Sequence, residues 1–373
     1  MMKKFRRFAI LSVAILLLMC SSRVFADGIQ SGADHILTIQ NTDGSFTWEH
    51  GPSTAGPGHK NVTGPTGMGL LSAYGVTGDA DHLTGATKAA DFLSAQTFGW
   101  VGTYNPFFLL KTYDATGTTA YKDKATEYFT QLTAGTYTGG NGVTTYNTAG
   151  YISAVQSGRA GNLINLRPWE FAPLAYAAQR VGSGAQATAF TTALTDGINT
   201  LDDALDYDLL GLSGGVFGLG LTGTDFDPTA GSFASAGSTS DLADILAGFQ
   251  NTNGAWAWDD ALKDTVGEED SQTTAYAMLA LMSVNTSGQY NSEIVAGRNY
   301  LLGTQLGSGG FLSYPGYPGE GENIEVEGEV VWALSETAAV PEPATVALLG
   351  IGLAGLAGGA ARRKWKKKAV DNS

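Results

Sequence analysis

The sequence has a single cysteine, Cys20, among its 373 residues. Cys20 lies inside an apolar N-terminal run, so once that run is removed the protein has no disulfide, thiol nucleophile or thiolate metal site. Charge is also scarce. Charged residues make up 15% of the chain, against roughly 25% in ordinary soluble domains. Bases are especially few in the body, where residues 27–339 hold 10 Lys and Arg against 33 Asp and Glu. A body that acidic repels phosphate backbones and anionic lipid, which excludes nucleic acid as a partner. The four histidines, His35, His50, His59 and His82, show no i, i+4 spacing that would set two metal ligands on one helix face. Neither a Gly-rich phosphate loop nor a Gly-x-Ser-x-Gly elbow occurs.

Both ends read as addresses. Lys3–Arg7 supply a basic start, Phe8–Cys20 an apolar run of 13 residues and Val24-Phe25-Ala26 a cleavage site, which defines a signal peptide over 1–26. At the other end Pro341-Glu342-Pro343 precede residues 344–361, 18 residues without a charge, and then six bases from Arg362 to Lys368. That run is long enough for a short membrane span, with the bases held on the cytoplasmic side. This order of parts over 340–368 resembles the PEP-CTERM sorting signal. The resemblance implies delivery by the secretion machinery, a membrane-anchored precursor, processing by an exosortase, and a final place at the cell surface or outside the cell, commonly beside exopolysaccharide.

The body repeats a frame of Gln, three residues, Gly, one residue and an aromatic. It occurs at Gln40/Gly44/Phe46, Gln131/Gly135/Tyr137, Gln250/Gly254/Trp256 and Gln305/Gly309/Phe311. A shortened form is Gln96–Trp100, and a form lacking Gln is Gly215-Val216-Phe217. Helix-like stretches flank each frame: apolar pairs such as Ile36-Leu37 and Leu301-Leu302 before it, and runs such as 106–113, 168–181, 271–284 and 325–336 after it. Pro106 and Pro168 mark first turns. Six helical hairpins predict an all-α fold, an (α/α)6 toroid over 27–338. The frame resembles the repeat of the squalene-cyclase and prenyltransferase superfamily, in which such residues serve the scaffold: Gln caps backbone groups at a helix end, and the aromatic packs between hairpins.

The chemistry that this resemblance implies is missing from the sequence. Asp206-Tyr207-Asp208-Leu209 lacks the last acid of the cyclase Asp-x-Asp-Asp motif, and zinc ligands of the prenyltransferase kind are absent. No cofactor and no metal site is predicted. The remaining chemical candidates are acids expected in loops at the toroid mouth, namely Asp259, Asp260, Glu269, Asp270 and Glu325, with Glu320, Glu322, Glu327 and Glu329 nearby. Two carboxyls across a mouth can serve as acid and base in glycoside hydrolysis. Alternatively they form a solvated rim, on which salt and calcium act alike, or an oxygen-only set suited to calcium. Trp48, Tyr104, Trp169, Trp258, Tyr314 and Trp332 are candidates for stacking on sugar, with core packing as the competing role. The expected function is a binding or structural module of the cell surface or matrix that engages exopolysaccharide. The alternative is a carbohydrate-active hydrolase or lyase, followed by a terpenoid cyclase or prenyltransferase.

Overall fold

The computed structural model describes residues 26–48, 59–96, 104–138, 144–315, 321–338 and 340. The signal peptide up to residue 25, the Pro341–Pro343 motif and the apolar run 344–361 lie outside these residues. Among the described residues no helix is long and apolar enough to cross a membrane.

Two concentric layers of helices form a closed ring. The outer layer comprises α1 (26–39), α3 (Ala80–Ala95), α5 (Thr119–Ala134), α8 (Gly184–Ile198), α10 (Thr239–Gly248) and α12 (Asn291–Gly303). Each leads into an inner helix: α2 (Lys60–Thr77), α4 (Tyr104–Thr116), α7 (Arg167–Arg180), α9 (Asp208–Thr222), α11 (Ser271–Val284) and α13 (Ile324–Glu336). Every inner helix packs on the next, and α13 packs back on α2. The connection from α5 to α7 carries an extra helix, α6 (Thr148–Gly158), and a two-stranded ribbon, β1 (Tyr137–Thr138) with β2 (Thr145–Tyr146). A second ribbon, β3 (Trp256–Ala257) with β4 (Glu269–Asp270), precedes α11.

The two layers differ in sequence because they differ in burial. Outer helix α3 buries His82, Gly85, Ala86, Ala89, Ala90 and Leu93, a stripe at helical spacing that faces the inner layer. Inner helix α9 buries an unbroken run from Asp208 to Leu219. It is covered on one side by outer helices and on the other by the ring interior, so it needs no polar face. Where α2 meets α13, Gly69 lies against the Gly328 carbonyl and Gly328 against Thr66, so that side chains there would hold the two backbones apart.

The repeated frame is a joint between neighbouring hairpins. Gln40 Nε2 donates to the Gly44 carbonyl at the end of its own turn and to the Gly85 carbonyl of α3. Gln250 does the same with Gly254 and with Glu293 of α12, both at 2.8 Å. Gln305 reaches Gly309 and, across 277 residues of sequence, Gly28 of α1, both at 2.9 Å. This last joint closes the ring. The glutamine therefore links adjacent units rather than only capping its own helix. The aromatics Phe46, Trp256 and Phe311 are fully buried behind their turns.

The Gln96–Trp100 frame lies outside the described residues beyond Gln96, and two of the other frames depart from the pattern. Gly215-Val216-Phe217 lies in the middle of α9 and is not a turn. Its glycine lets α9 approach Ile198, since a Cβ there would fall 2.8 Å from that side chain. The fourth hairpin instead turns through 199–207, which carries no frame. At the third unit Gly135 caps α5 with φ +68°, but the Gln131 amide bonds Glu127 within its own helix and, among the described residues, reaches no neighbouring hairpin.

Candidate active site at the inner-helix N-termini

The ring axis is filled with aromatic side chains. Tyr104 and Phe107 from α4, Trp169 from α7, Phe217 from α9, Tyr276 from α11 and Trp332 from α13 are all buried. Their rings meet across the ring as well as between neighbours. Tyr104 stacks on Tyr276 at 6.5 Å, Phe217 meets Trp332 edge-on at 5.6 Å and Phe107 lies 6.3 Å from Phe217. These pairs join helices that are not adjacent in the ring, so the contacts pass through its centre. The plug leaves functional groups to the ends of the inner helices, where their first turns converge.

Three glutamates stand at that end. Glu325 and Glu329 occupy successive turns of α13, and Glu170 lies in the first turn of α7. In ring order α7 and α13 are opposite one another. Glu329 is wholly buried. Its Oε1 accepts from the Tyr276 hydroxyl and its Oε2 from Gln272 Nε2 at 2.8 Å. Glu325, a turn nearer the surface, is half-buried, and among the described residues its carboxyl accepts no such bonds. Glu170 is held by Arg159 at the end of α6, with Nε at 2.8 Å and Nη2 at 2.6 Å.

Burial raises the pKa of both α13 carboxyls. For Glu325 the next cause is the charge of Glu329, then that of Glu170, against the opposing Arg159. For Glu329 the Tyr276 and Gln272 bonds pull the other way, because they favour the ionised form. The first negative charge of the pair therefore settles on Glu329, and Glu325 keeps its proton well above the usual carboxyl range. Tyr104 lies in the field of all three glutamates, and its hydroxyl is also pushed up, chiefly by burial.

The other sequence candidates are dispersed. Glu269 is tied within its loop, accepting from Asn253 and from the Gly267 N–H, both at 2.8 Å. Asp270 caps α11, accepting from the backbone of Gln272 and Thr273. Asp259 and Asp260 gather with Asp208 of the preceding hairpin. Glu325, Glu327 and Glu329 belong to helix α13 rather than to a loop, and Glu327 faces His35 of α1 on another side. Among the aromatics, Tyr104, Trp169 and Trp332 are inside the plug, Tyr104 stacked on Trp169 and edge-on to Trp332. Trp48 is partly exposed beside His59, Trp258 packs on Tyr207 at 5.1 Å, and Tyr314 is half-buried. Glu329 belongs to the acid cluster read from the sequence, whereas Glu170, Tyr276 and Gln272 are site residues that the sequence does not single out. The signal available for Glu170 and Glu325 was an acid in the first turn of a recognisable inner helix. A groove of about 320 Å³ along α1, lined by Gln30, Asp34 and His35, lies on an outer helix, away from these groups.

Residues 339–364 match the PEP-CTERM protein-sorting motif. That makes the chain a partner of an exosortase and its associated export route. No curated protein sequence matches the chain. Solved structures share its architecture at low identity. The GH76A α-1,6-mannanase of Salegentibacter sp. HEL1_6 superposes with a TM-score of 0.56 at 10% identity, covering 85% of this chain and 100% of the mannanase. An unsaturated glucuronyl hydrolase specific for heparin gives 0.55 at 11% identity, covering 85% and 97%. The type II terpene cyclase MstE of Scytonema, in its geranylgeranyl dihydroxybenzoate complex, gives 0.52 at 14% identity, covering 86% and 99%. The chain thus has an α/α-toroid fold shared by glycoside hydrolases and terpene cyclases, broader than the squalene-cyclase and prenyltransferase group alone, and it carries an exosortase sorting motif at its C-terminal end.

Proposed function

We propose that the protein is an exported carbohydrate-active hydrolase that cleaves a glycosidic bond at the mouth of the toroid. The observation that carries this reading is the set of facing carboxyls. Glu325 on α13 retains a proton, and Glu170 stands on the opposite inner helix, fixed by Arg159. Glu325 gives its proton to the glycosidic oxygen as the bond from that oxygen to the anomeric carbon breaks. Glu170 either attacks the anomeric carbon or takes a proton from the attacking water, and water supplies the hydroxyl of the new reducing end. Glu329 is too buried to meet a sugar. Burial keeps Glu325 protonated, and the charge that Glu329 takes first holds that proton to higher pH, which makes Glu329 a positioning residue. Two of the similar folds are glycosidases, and the sorting motif takes the chain toward the surface, where polysaccharide is found.

The isoprenoid alternative is disfavoured by the aromatic plug. A cyclase encloses its polyene in an apolar chamber, and here that space is taken by Tyr104, Phe107, Trp169, Phe217, Tyr276 and Trp332. The same plug is what favours the second reading, a noncatalytic polysaccharide-binding module with a shallow mouth. Incubating the protein with exopolysaccharide of its own host, and with a panel of α- and β-linked oligosaccharides, separates the two. New reducing ends are expected. Retention of the polysaccharide with no new reducing ends would favour the binding module and overturn the hydrolase reading.

A further inference from the structure

We propose that Asp208, Asp259 and Asp260 form a calcium site that ties the segment between β3 and β4 to the start of α9. The three residues come from two neighbouring hairpins, Asp208 from the fourth and Asp259 and Asp260 from the fifth, and one oxygen of each lies within 4.8 Å of the others. Oxygens bound to a single calcium ion at 2.3–2.6 Å can be up to about 5 Å apart, so this spacing suits one shared ion. The donor set is carboxylate oxygen only, which selects a hard cation over zinc or copper.

The second observation is the state of Asp208. Its side chain is completely buried. Oδ1 accepts from the N–H of Leu209 at 2.8 Å and of Asp260 at 3.0 Å, while Oδ2 is buried with no hydrogen-bond partner. An orphaned carboxylate oxygen is costly to bury, and an adjacent cation removes that cost. Among the described residues none of the three aspartates is ion-paired with a Lys, Arg or His. The acid pair Asp34 and Asp79, by contrast, already has His82 beside it. Asp259 caps the following short 3-10 turn through Ala261 N–H and keeps its second oxygen for a ligand. Asp260 is half-exposed, which leaves the ion a route in and a place for water.

The test is a thermal melt of the chelator-stripped protein with calcium chloride, magnesium chloride or sodium chloride at matched ionic strength. Calcium at about a hundredfold excess over its dissociation constant is expected to raise the melting midpoint by roughly 5 °C, with little change from sodium or magnesium. Asp260→Asn and Asp208→Asn are expected to lose that shift while melting, without calcium, no lower than the calcium-free parent, because each removes a repelling charge. Should Asp208→Asn fail to fold, the half-exposed Asp260→Asn carries the test alone. A sodium effect equal to that of calcium, an equal magnesium effect, or a calcium shift that survives in Asp260→Asn would overturn the assignment.

Discussion

Replacing Gly254 by valine is expected to lower the stability of the toroid by about 3 kcal/mol. Two independent penalties combine there. Gly254 has φ +94°, a left-handed conformation in which a β-branched residue is strained. A Cβ on it would also fall 2.5 Å from the Ala296 carbonyl oxygen of α12. The strand of chain that carries Gln250 to Glu293 would have to move, and the joint between the fifth and sixth hairpins would open. The equivalent Gly309 has φ +100° and a Cβ position 2.5 Å from the Ser31 carbonyl of α1, so Gly309→Val should act alike at the seam that closes the ring. Gly75, inside α2, has ordinary backbone geometry and nothing within 4 Å of a Cβ, which makes Gly75→Ala a control that loses no stability. Denaturant melts of the three variants check the prediction. A Gly254→Val midpoint equal to that of Gly75→Ala would show that the turn is not a joint.

Glu325→Gln is expected to reduce glycosidic cleavage by about 10²–10⁴-fold, the range for loss of a general acid. Its midpoint at neutral pH should not fall, since glutamine places no charge in the buried site. Glu170→Gln should lose activity to a similar extent for the opposite reason, the removal of the charged partner. Glu329→Gln should behave differently. Removing the charge on Glu329 makes Glu325 easier to ionise, so the alkaline limb of the rate profile should move to lower pH while cleavage persists below it. Reducing-end assays across pH distinguish the roles. A Glu329→Gln profile that merely scales down at every pH would mark Glu329 as a packing residue.

The turn chemistry of this fold is local, and that is why it was legible in sequence. Gln40, Gly44 and Phe46 sit within seven residues, and their counterparts around Gln250 and Gln305 obey the same backbone requirement. Pro106 and Pro168 likewise fall in the first turns of α4 and α7. The fourth hairpin was not legible, because the 199–207 connection is held by other means, such as Asn165 Nδ2 donating to the carbonyls of Asp202, Leu205 and Asp206. Gly215 imitated a turn residue because close helix packing also selects glycine. The site was half visible. Acid-rich stretches drew attention to 259–270 and 320–329, yet acid density says nothing about which carboxyl loses its water. Glu170 is an isolated acid, three residues after Arg167, and becomes notable only when α7 is set opposite α13. In the sequence Asp208 stands out only as a member of an incomplete cyclase motif, whereas what sets it apart in the fold is its burial.

The toroid mouth holds one carboxyl, on Glu325, that keeps its proton after the deeper Glu329 has ionised. A ¹³C titration of the glutamate carboxyl carbons, assigned through Glu325→Gln and Glu329→Gln, measures it directly. The account predicts that the Glu325 resonance remains in its protonated position at pH 7, that Glu329 ionises before it, and that Glu329→Gln moves the Glu325 titration to lower pH. Completion of both titrations near the ordinary glutamate value of about 4.3 would contradict it.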